Sequence, residues 1–268
     1  MSIKTVKSKK KSTVTVINPN AGNGRMFKRL FFDLETSFNI VASWNIGYDI
    51  NIDHNSIIRE RAVICVCYKW QHEDVVHYLK WDNGDDKEML KKFIAIINTA
   101  DECIAHNGDR YDIKWLRTRC LYHGIPAFPQ YSTVDTLKLS RSGFNFNSNK
   151  LDYIAKFLGV GSKIKTRGFD MWKEIILDNN PESMKEMVHY CKGDVLILEK
   201  VFHKLNPYSK HKIHVGVLKG GKKCDCPECA SSKVQRRGFM VLASGAKKIR
   251  LQCQECGKYF SVAEKELV

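Results

Sequence analysis

The stretch Phe31-Phe-Asp-Leu-Glu-Thr36 decides the fold class, because it is an apolar strand that ends in two acids. Residues two apart in a strand share a face, so Asp33 and Glu35 point the same way and Phe32 and Leu34 face the opposite side. Two carboxylates at the end of a buried strand repel each other unless a cation or a proton intervenes. Taken alone, the motif indicates a metal site or a strand that runs out into solvent.

A second motif, His106-Asn-Gly-Asp-Arg-Tyr-Asp112, leaves one predicted strand and enters a predicted helix. An acid in the first turn of a helix commonly complements the helix dipole, so Asp112 by itself indicates little. Asp109 is a competing carboxylate in the same loop. This motif therefore gains meaning only together with the others.

A third motif, His189-Tyr-Cys-Lys-Gly-Asp194, lies inside a long predicted helix. Tyr190 and Asp194 are four residues apart and share one face of that helix. Gly193 costs about 1 kcal/mol in a helix interior, and the usual compensation is a close approach of the backbone to another segment. An acid that follows such a glycine and lies beside an apolar stripe is poorly explained by solvation.

Apolar periodicity places these motifs in a mixed α/β sheet with helices on both faces. Strands are predicted at 30–34, 62–70, 75–81, 103–105 and 132–134, and helices at 87–98, 112–124, 151–158 and 181–205. Five cysteines in apolar contexts are predicted to be small core residues: Cys65, Cys67, Cys103, Cys120 and Cys191. The predicted domains are a basic arm at 1–28, an α/β domain at 29–206, a linker at 207–223 and a cysteine-rich module at 224–268.

The net charge of +15 is concentrated at the two ends of the chain. Residues 1–30 and 207–268 each carry a net charge of +8, and the stretch between them is close to neutral. Basic ends attract polyanions, of which nucleic acid is the usual one, although basic tails can also serve solubility alone. Within the arm, the glycine-containing segment 18–25 is predicted to be a turn rather than a phosphate-binding loop, because no P-loop Lys-Ser/Thr follows it.

Together the three motifs resemble those of the proofreading-type 3′–5′ exonucleases, the four-acid (DEDD) superfamily. The elements that match are Asp33-x-Glu35, Asn107-x-x-x-Tyr111-Asp112 and Tyr190-x-x-x-Asp194, over residues 29–206. The segments at 135–137 and 151–159 also resemble bacteriophage exonucleases. The resemblance implies a ribonuclease-H-like fold.

The resemblance also implies the chemistry of the site. Two divalent ions, Mg²⁺ or Mn²⁺, would be held by Asp33, Glu35, Asp112 and Asp194, and Asn107 would contact substrate. Hard oxygen ligands suit these ions, and a pair of them can stabilise both the attacking and the leaving oxygen.

The residue that orients the attacking water is left open by the sequence. The superfamily uses either a tyrosine four residues before the last acid or a histidine five before it, and this chain has both Tyr190 and His189. The surrounding sequence resembles the tyrosine branch, so Tyr190 is the predicted residue. A tyrosine would orient the water, whereas His189 would act as a general base.

Two C-x-x-C pairs near the C-terminus predict a structural zinc site. The predicted ligands are Cys226, Cys229, Cys253 and Cys256, and the segment resembles zinc ribbons of transposases and transcription proteins. Cys224 is an alternative to Cys226. His211 and His214 are predicted to be linker residues rather than ligands.

The ribbon carries a cluster of basic residues on two predicted strands, at 234–242 and 247–251. They are Lys233, Arg236, Arg237, Lys247, Lys248 and Arg250. Phosphate contact is the predicted role, and a protein-binding ribbon with solvated charges is the alternative. So small a module needs its metal in order to fold.

The predicted function is therefore a 3′–5′ exonuclease, with DNA favoured over RNA as its substrate. An inactive nucleic-acid-binding protein and an endonuclease on the same fold remain alternatives. The motifs leave open a polymerase or a replication, repair or recombination protein as partner. No apolar run is long enough for a membrane span and no secretory signal is evident, so a cytoplasmic setting is expected, in a bacterium or a phage-infected cell.

Overall fold

A mixed five-stranded sheet forms the centre of the α/β domain in this computed structural model. Its strands are β1 (Arg29–Thr36), β4 (Val63–Trp70), β5 (His77–Lys80), β6 (Glu102–Ala105) and β7 (Thr133–Asp135). Their order is β5-β4-β1-β6-β7, with β4 antiparallel to β1 and β5, and β6 parallel to β1 and β7. Strands β2 (Ile40–Val41) and β3 (Ile57–Arg59) pair separately between β1 and β4.

The structure describes residues 26–126, 130–210 and 212–267. The basic arm as far as residue 25, including the predicted turn at 18–25, lies outside the described residues, and so does His211. No helix in the described ranges is long and apolar enough to cross a membrane.

Helices cover both faces of the sheet, as the sequence predicts. One face packs against α1 (Lys87–Ile97) and α2 (Asp112–Tyr122). The other packs against α4 (Leu151–Phe157), α5 (Phe169–Leu177) and α6 (Pro181–Leu205), and α3 (Thr136–Gly143) follows β7 directly. Phe32 and Leu34 lie in the first of these cores and Phe31 in the second, so the alternation predicted for β1 is confirmed.

Helix α6 has sharp sequence signals at its N-terminus. The side chain of Asn180 accepts hydrogen bonds from the backbone N–H groups of Glu182 and Ser183, and Pro181 occupies the first turn. A buried stripe then fixes the helix on the sheet, and it includes Met184, Met187, Val188, Cys191, Val195 and Leu198. The stripe orients the helix so that Asp194 is also buried.

The five cysteines predicted to be core residues are all buried, which confirms that prediction. Cys65 and Cys67 lie on β4, and Cys191 lies on α6 above them in the same core. Cys103 and Cys120 lie in the core on the other face of the sheet.

The C-terminal module is a three-stranded antiparallel sheet of β8 (Val234–Val241), β9 (Lys247–Cys253) and β10 (Tyr259–Ala263). Its small core contains Ile249, Leu251, Phe260 and Val262 together with cysteines. The stretch predicted as a linker contains the short helix α7 (Val215–Leu218), whose first residue donates a backbone hydrogen bond to the carbonyl of Pro227 at 2.8 Å.

Two buried cations join this module to the α/β domain. Arg29, at the start of β1, bonds to Glu102 at 2.7 Å and to Glu228 of the module at 2.8 Å. Lys258 has no exposed surface, and its ammonium donates to the carbonyl of Asn206 at 2.6 Å and to the hydroxyl of Ser209 at 2.8 Å. Asn206 caps the C-terminus of α6, where the helix dipole favours a cation.

Candidate active site

Three carboxylates converge where the C-terminal end of β1 meets the middle of α6. One oxygen each from Asp33, Glu35 and Asp194 lies within 4.8 Å of the others. Asp33 and Glu35 share a face of the strand because they are two residues apart, and α6 brings Asp194 to that face. The first and third sequence motifs therefore meet in space.

Asp112 approaches this cluster from the other side of β1. It begins α2, it is 2% exposed, and its carboxylate accepts a hydrogen bond from the backbone N–H of Leu34 at 3.2 Å. It is not within the 4.8 Å group, but its negative charge is one of those that raise the pKa of Asp33. The structure thus brings three predicted ligands together and places the fourth beside them.

Burial and mutual repulsion make this a poor environment for uncompensated negative charge. Burial first, and then neighbouring groups that include the other acids, raise the pKa of Asp33 and of Glu35 well above their usual values. Burial raises the pKa of Asp112 to about 7. Burial also raises the pKa of Asp194, although Lys163 offsets part of this effect.

A lysine that the sequence analysis did not identify lies in the centre of the site. The ammonium of Lys163 contacts Asp194 at 2.5 Å and the hydroxyl of Tyr190 at 3.0 Å. Burial lowers the pKa of Lys163, but the nearby carboxylate of Asp194 raises it by more. The pKa of Lys163 is therefore above its usual value. Lys163 lowers the pKa of Asp194 and of Glu35, but one ammonium is too few to balance four acids once they are ionised.

The donor set fits divalent cations. All four candidate ligands are carboxylates, the hard oxygen donors that Mg²⁺ and Mn²⁺ prefer. Oδ1 of Asp194 is buried and has no hydrogen-bond partner among the described residues, so it retains a lone pair for a cation. A buried polar atom without a partner is costly and calls for such an explanation.

Tyr190 and His189, the two candidates for orienting the attacking water, have different surroundings in the structure. Tyr190 lies beside Asp194 through their shared contact with Lys163. His189 is exposed and lines a different groove, together with Tyr78 and Lys192. Burial raises the pKa of Tyr190 to about 12, so the phenol stays protonated near neutral pH.

Gly193 makes room for the segment that carries Lys163. A Cβ atom at this position would lie 2.6 Å from Cδ1 of Ile164, closer than real side chains pack. The close approach expected from the sequence is therefore present, and it places Lys163 against α6.

The loop of the second motif is held by Asp135 at the end of β7. The Asp135 carboxylate caps α3 and also accepts the backbone N–H of Asn107 at 2.9 Å. Asp109, the competing carboxylate of this loop, pairs with Lys138 at 2.7 Å instead of joining the cluster. Asn107 has a positive φ of 67°.

A cleft of about 720 Å³ opens beside Asp33. Asp33 and Lys163 lie on its lining, and Asn107, Arg141 and Lys150 line it as well. The predicted substrate contact Asn107 thus faces the same space as Asp33. The surface of the cleft combines amides and cations, a composition that suits a phosphodiester.

Helix α5, which the sequence analysis did not predict, supports the acids from the side. The indole N–H of Trp172 donates to the carbonyl of Thr36 at 3.2 Å, and its ring packs on the edge of Tyr190 at 6.4 Å. The apolar spacing of Met171, Ile175 and Ile176 was a usable helix signal. No comparable signal distinguished Lys163 from Lys165 nearby.

The four predicted cysteine ligands form a second candidate metal site. One sulfur from each of Cys226, Cys229, Cys253 and Cys256 lies within 4.8 Å of the rest. Two pairs, Cys226–Cys256 and Cys229–Cys253, have Sγ atoms 3.6 Å apart. A tetrahedral zinc with bonds of ~2.3 Å requires sulfurs at about 3.8 Å. Cys224 is not a member of this group, so the alternative ligand set is not supported.

The predicted phosphate contacts do not share one face of the ribbon. Cross-strand partners project from the same face, and Lys248 and Arg250 pair with Ala263 and Ser261. Lys247 lies on the opposite face and pairs with Glu264 at 3.0 Å.

The remaining predicted phosphate contacts differ in whether their side chains already have a partner. Lys233 pairs with Glu255 at 2.8 Å, and Arg237 hydrogen-bonds Gln252 at 2.9 Å. Arg236 is exposed on β8. Among the described residues, Arg236, Lys248 and Arg250 have no ion pair, and the last two share a face.

A third group of potential ligands, Asp85, Asp86 and His123, lies away from the cleft. Asp86 has no exposed surface, and both of its oxygens accept hydrogen bonds from Arg119 at 2.8 Å. His123 and the backbone of Val63 donate to the same carboxylate. A carboxylate already saturated by an arginine is a structural ion pair that ties α1 to α2.

Comparison with protein-family models matches residues 30–206 to the model RNase_H_2, described as RNase_H superfamily. The chain belongs to the RNase_H superfamily. The match covers all three carboxylate motifs and ends before the cysteine-rich module. A comparison with the sequences of curated proteins finds no match.

Among solved structures, this RNase_H-superfamily chain is similar to the family B DNA polymerase from the hyperthermophilic archaeon Pyrobaculum calidifontis. The TM-score is 0.53 and the sequence identity is 17%, over 73% of this chain and 26% of the polymerase. The chain therefore corresponds to about a quarter of the polymerase's length, and the likeness shows the fold alone.

Proposed function

We propose that this protein is a metal-dependent 3′–5′ exonuclease that hydrolyses nucleic acid, with DNA as the favoured substrate, and releases nucleoside 5′-monophosphates. The observation that carries the proposal is the convergence of Asp33, Glu35 and Asp194 within 4.8 Å of one another, beside a cleft that Asp33 lines together with several cations. Membership of a nuclease superfamily supports hydrolysis of a phosphodiester.

Asp33, Glu35, Asp112 and Asp194 would hold two divalent cations, Mg²⁺ or Mn²⁺. When bound, such ions supply Lewis-acid activation of water and stabilise both the attacking and the leaving oxygen. The burial of Asp112 and Asp194 keeps water from competing for these carboxylates. The four acids must be ionised to act as ligands.

Tyr190 and Lys163 would act as a pair on the attacking water. The ammonium donates to the phenol oxygen at 3.0 Å, and the O–H of Tyr190 hydrogen-bonds Asp194, from which it would turn to the attacking water or a phosphate oxygen. Because its pKa is raised to about 12, the phenol orients the water rather than accepting its proton. Lys163 itself is positioned by Asp194 and adds positive charge where negative charge develops.

The direction of attack from the 3′ end rests on the resemblance of the three motifs to the proofreading-type exonucleases. Asn107, Arg141 and Lys150 lie on the cleft lining, where they would position the terminal nucleotides. The ribbon, folded around one structural Zn²⁺, would grip the nucleic acid farther away, chiefly through Lys248 and Arg250. A replication, repair or recombination setting in the cytoplasm, with a polymerase as partner, is consistent with this activity.

Digestion of end-labelled oligonucleotides tests the proposal. Single-stranded and double-stranded DNA and RNA, labelled at either end, are incubated with Mg²⁺, with Mn²⁺ or without either. We expect 5′-labelled DNA to shorten stepwise and 3′-labelled DNA to release a labelled mononucleotide at once. Cleavage of circular single strands would assign the site to an endonuclease, and absence of cleavage with both metals would contradict the proposal.

A further inference from the structure

The sheet carries two rows of side chains from the acids to its outer edge. In register across β1, β4 and β5, the rows are Asp33–Cys67–Tyr78 and Glu35–Cys65–Lys80. Cross-strand partners share a face, so Tyr78 and Lys80 lie on the face that α6 covers. Because neighbouring strands are ~4.8 Å apart, Tyr78 and Lys80 lie about 10 Å from the acids, on the other flank of α6.

Helix α6 presents a basic stripe to that outer flank. Lys185, His189 and Lys192 are spaced by four and three residues, so they lie along one side of the helix. Tyr190 and Asp194 occupy the flank that faces the acids. The catalytic helix therefore has an acidic centre on one side and a cationic surface on the other.

A groove of about 370 Å³ runs between this stripe and β5, and we call it the edge groove. Met184 and Val188 are nearly buried in its floor, each 8% exposed. Lys80 and Tyr78 form the opposite wall, and Tyr78 is 47% exposed. The edge groove thus combines an apolar floor with charged walls.

The charge of the edge groove is of one sign. Among the described residues, its lining contains three lysines and a histidine but neither aspartate nor glutamate. Of the lysines, Lys185 pairs with Glu182 at 2.7 Å. Lys192 lies over the ring of Tyr78 at 4.7 Å, so its ammonium is held in the groove without an acid. An anion is the ligand that this chemistry recognises.

We propose that the edge groove binds the backbone phosphates of a single-stranded segment of the substrate, outside the cleft. Lys80 and Lys192 would contact phosphates, and the floor of Met184 and Val188 would accept a base or a sugar. Nucleic acid is favoured over an acidic peptide because the groove lies on the helix that carries Tyr190, about 10 Å from the acids. The inference rests on the proposed nuclease function and extends its substrate-binding surface.

Single-stranded substrates would then be gripped on both flanks of α6. A helix with its side chains is ~10–12 Å across, so a strand must pass around it to occupy both the cleft and the edge groove. A dinucleotide is too short to do this, since nucleotides are spaced by only a few ångströms along a strand. The contribution of the edge groove should therefore depend on substrate length.

The test compares Lys80→Gln/Lys192→Gln with the control Lys91→Gln/Lys92→Gln, which removes the same charge from α1 on the opposite face of the sheet. Affinity for a single strand longer than ~16 nucleotides is measured at several salt concentrations, in an Asp33→Asn background to prevent cleavage. Each lost phosphate contact lowers the salt slope by ~0.7, so we expect a decrease of about 1.4 in the groove variant relative to the control.

The outcomes of these measurements distinguish the possibilities. Equal salt slopes in the groove variant and the control would overturn the proposal. The proposal would also be overturned if the groove variant lost affinity for a poly-glutamate peptide while its affinity for the oligonucleotide did not change. Cleavage of a dinucleotide is measured separately in the chain with Asp33 intact, and we expect it to be the same in both charge variants. If the protein with neither substitution fails to cleave the dinucleotide and longer strands, the proposed function fails, whereas the salt slopes still decide whether the edge groove binds nucleic acid.

Discussion

Substitution of Lys258 by methionine should destabilise the α/β domain, although Lys258 belongs to the ribbon. Lys258 is completely buried, and its ammonium makes two hydrogen bonds at the C-terminus of α6, to Asn206 and Ser209. Hydrogen bonds to a charged group contribute about 1.5–3 kcal/mol each. Methionine has a similar length and no charge, so it removes these bonds with little loss of packing.

The net effect is smaller than the sum of the two bonds. The substitution also removes the cost of burying an ammonium, and Ser209 still donates a hydrogen bond to the carbonyl of Asn206. We therefore expect a loss of about 2 kcal/mol in the free energy of unfolding. For a chain of this size that corresponds to a decrease in Tm of about 4–8 °C.

Thermal unfolding followed by circular dichroism and by tryptophan fluorescence measures this effect. Trp172 lies beside Tyr190 in the α/β domain, so the fluorescence of that domain reports whether it unfolds together with the ribbon. Lys265→Met is the matched control, because Lys265 is an exposed lysine of the same module.

Two separate transitions, with that of the α/β domain unchanged in the Lys258 variant, would contradict this expectation. Such a result would mean that the ribbon is a tethered module, as the sequence predicts by its linker at 207–223. A single lowered transition would mean that the ribbon and the α/β domain unfold as one unit.

Further predictions concern the site itself. Tyr190→Phe should lower kcat by about 10²-fold with little loss of substrate affinity, because one oriented hydrogen-bond donor is lost. His189→Ala should leave kcat nearly unchanged. Steady-state kinetics on one oligonucleotide compares the two variants. Gly193→Ala should destabilise the fold by about 1–3 kcal/mol by overpacking, and Ile164→Ala in the same chain should restore most of the loss in a urea titration. Burial raises the folded-state pKa of Asp112 to about 7, above its unfolded value, so the contribution of Asp112 to stability without added Mg²⁺ or Mn²⁺ is greatest at low pH and falls as the pH rises to about 7. That fall amounts to at most about 4 kcal/mol, and Asp112→Asn should remove it, which makes the dependence of Tm on pH shallower between acidic and neutral pH.

The sequence predicted the elements whose signals are strong and local. Strand β1 was evident from its alternation, and α6 from Pro181 at a favoured first-turn position and from its long apolar stripe, with both ends of the helix as predicted. Helix α3 was missed because it has only two buried residues, Thr136 and Ser140, neither of them apolar. Helix α5 was missed although its apolar spacing was visible.

The site was predictable as far as its residues belong to compact motifs. Asp33, Glu35 and Asp194 meet as expected, because β1 and α6 were predicted with their faces. The partners of Lys163 are Tyr190 and Asp194, which are 27 and 31 residues away in the chain. No local sequence pattern predicts contacts at such a separation.

Long-range contacts also limited the prediction for the ribbon. Its four cysteines were evident from their spacing, but the burial of Lys258 depends on Asn206, which is 52 residues away in the chain. A basic residue in a basic module looks like a surface residue until its distant partners are known.

If the carboxylate cluster is a metal-dependent nuclease centre, as proposed, Asp33→Asn should nearly abolish hydrolysis of an oligonucleotide. The rate is measured at saturating Mg²⁺ and saturating oligonucleotide, with the exposed Asp178→Asn as control. Metal ions contribute several kcal/mol of transition-state stabilisation, so losing a ligand should lower the rate by about 10³-fold or more. The Tm without Mg²⁺ should be unchanged or higher, since like-charge repulsion is relieved. A folded Asp33→Asn protein that hydrolyses DNA at the rate of the Asp178→Asn control would show that Asp33 does not hold a catalytic metal ion.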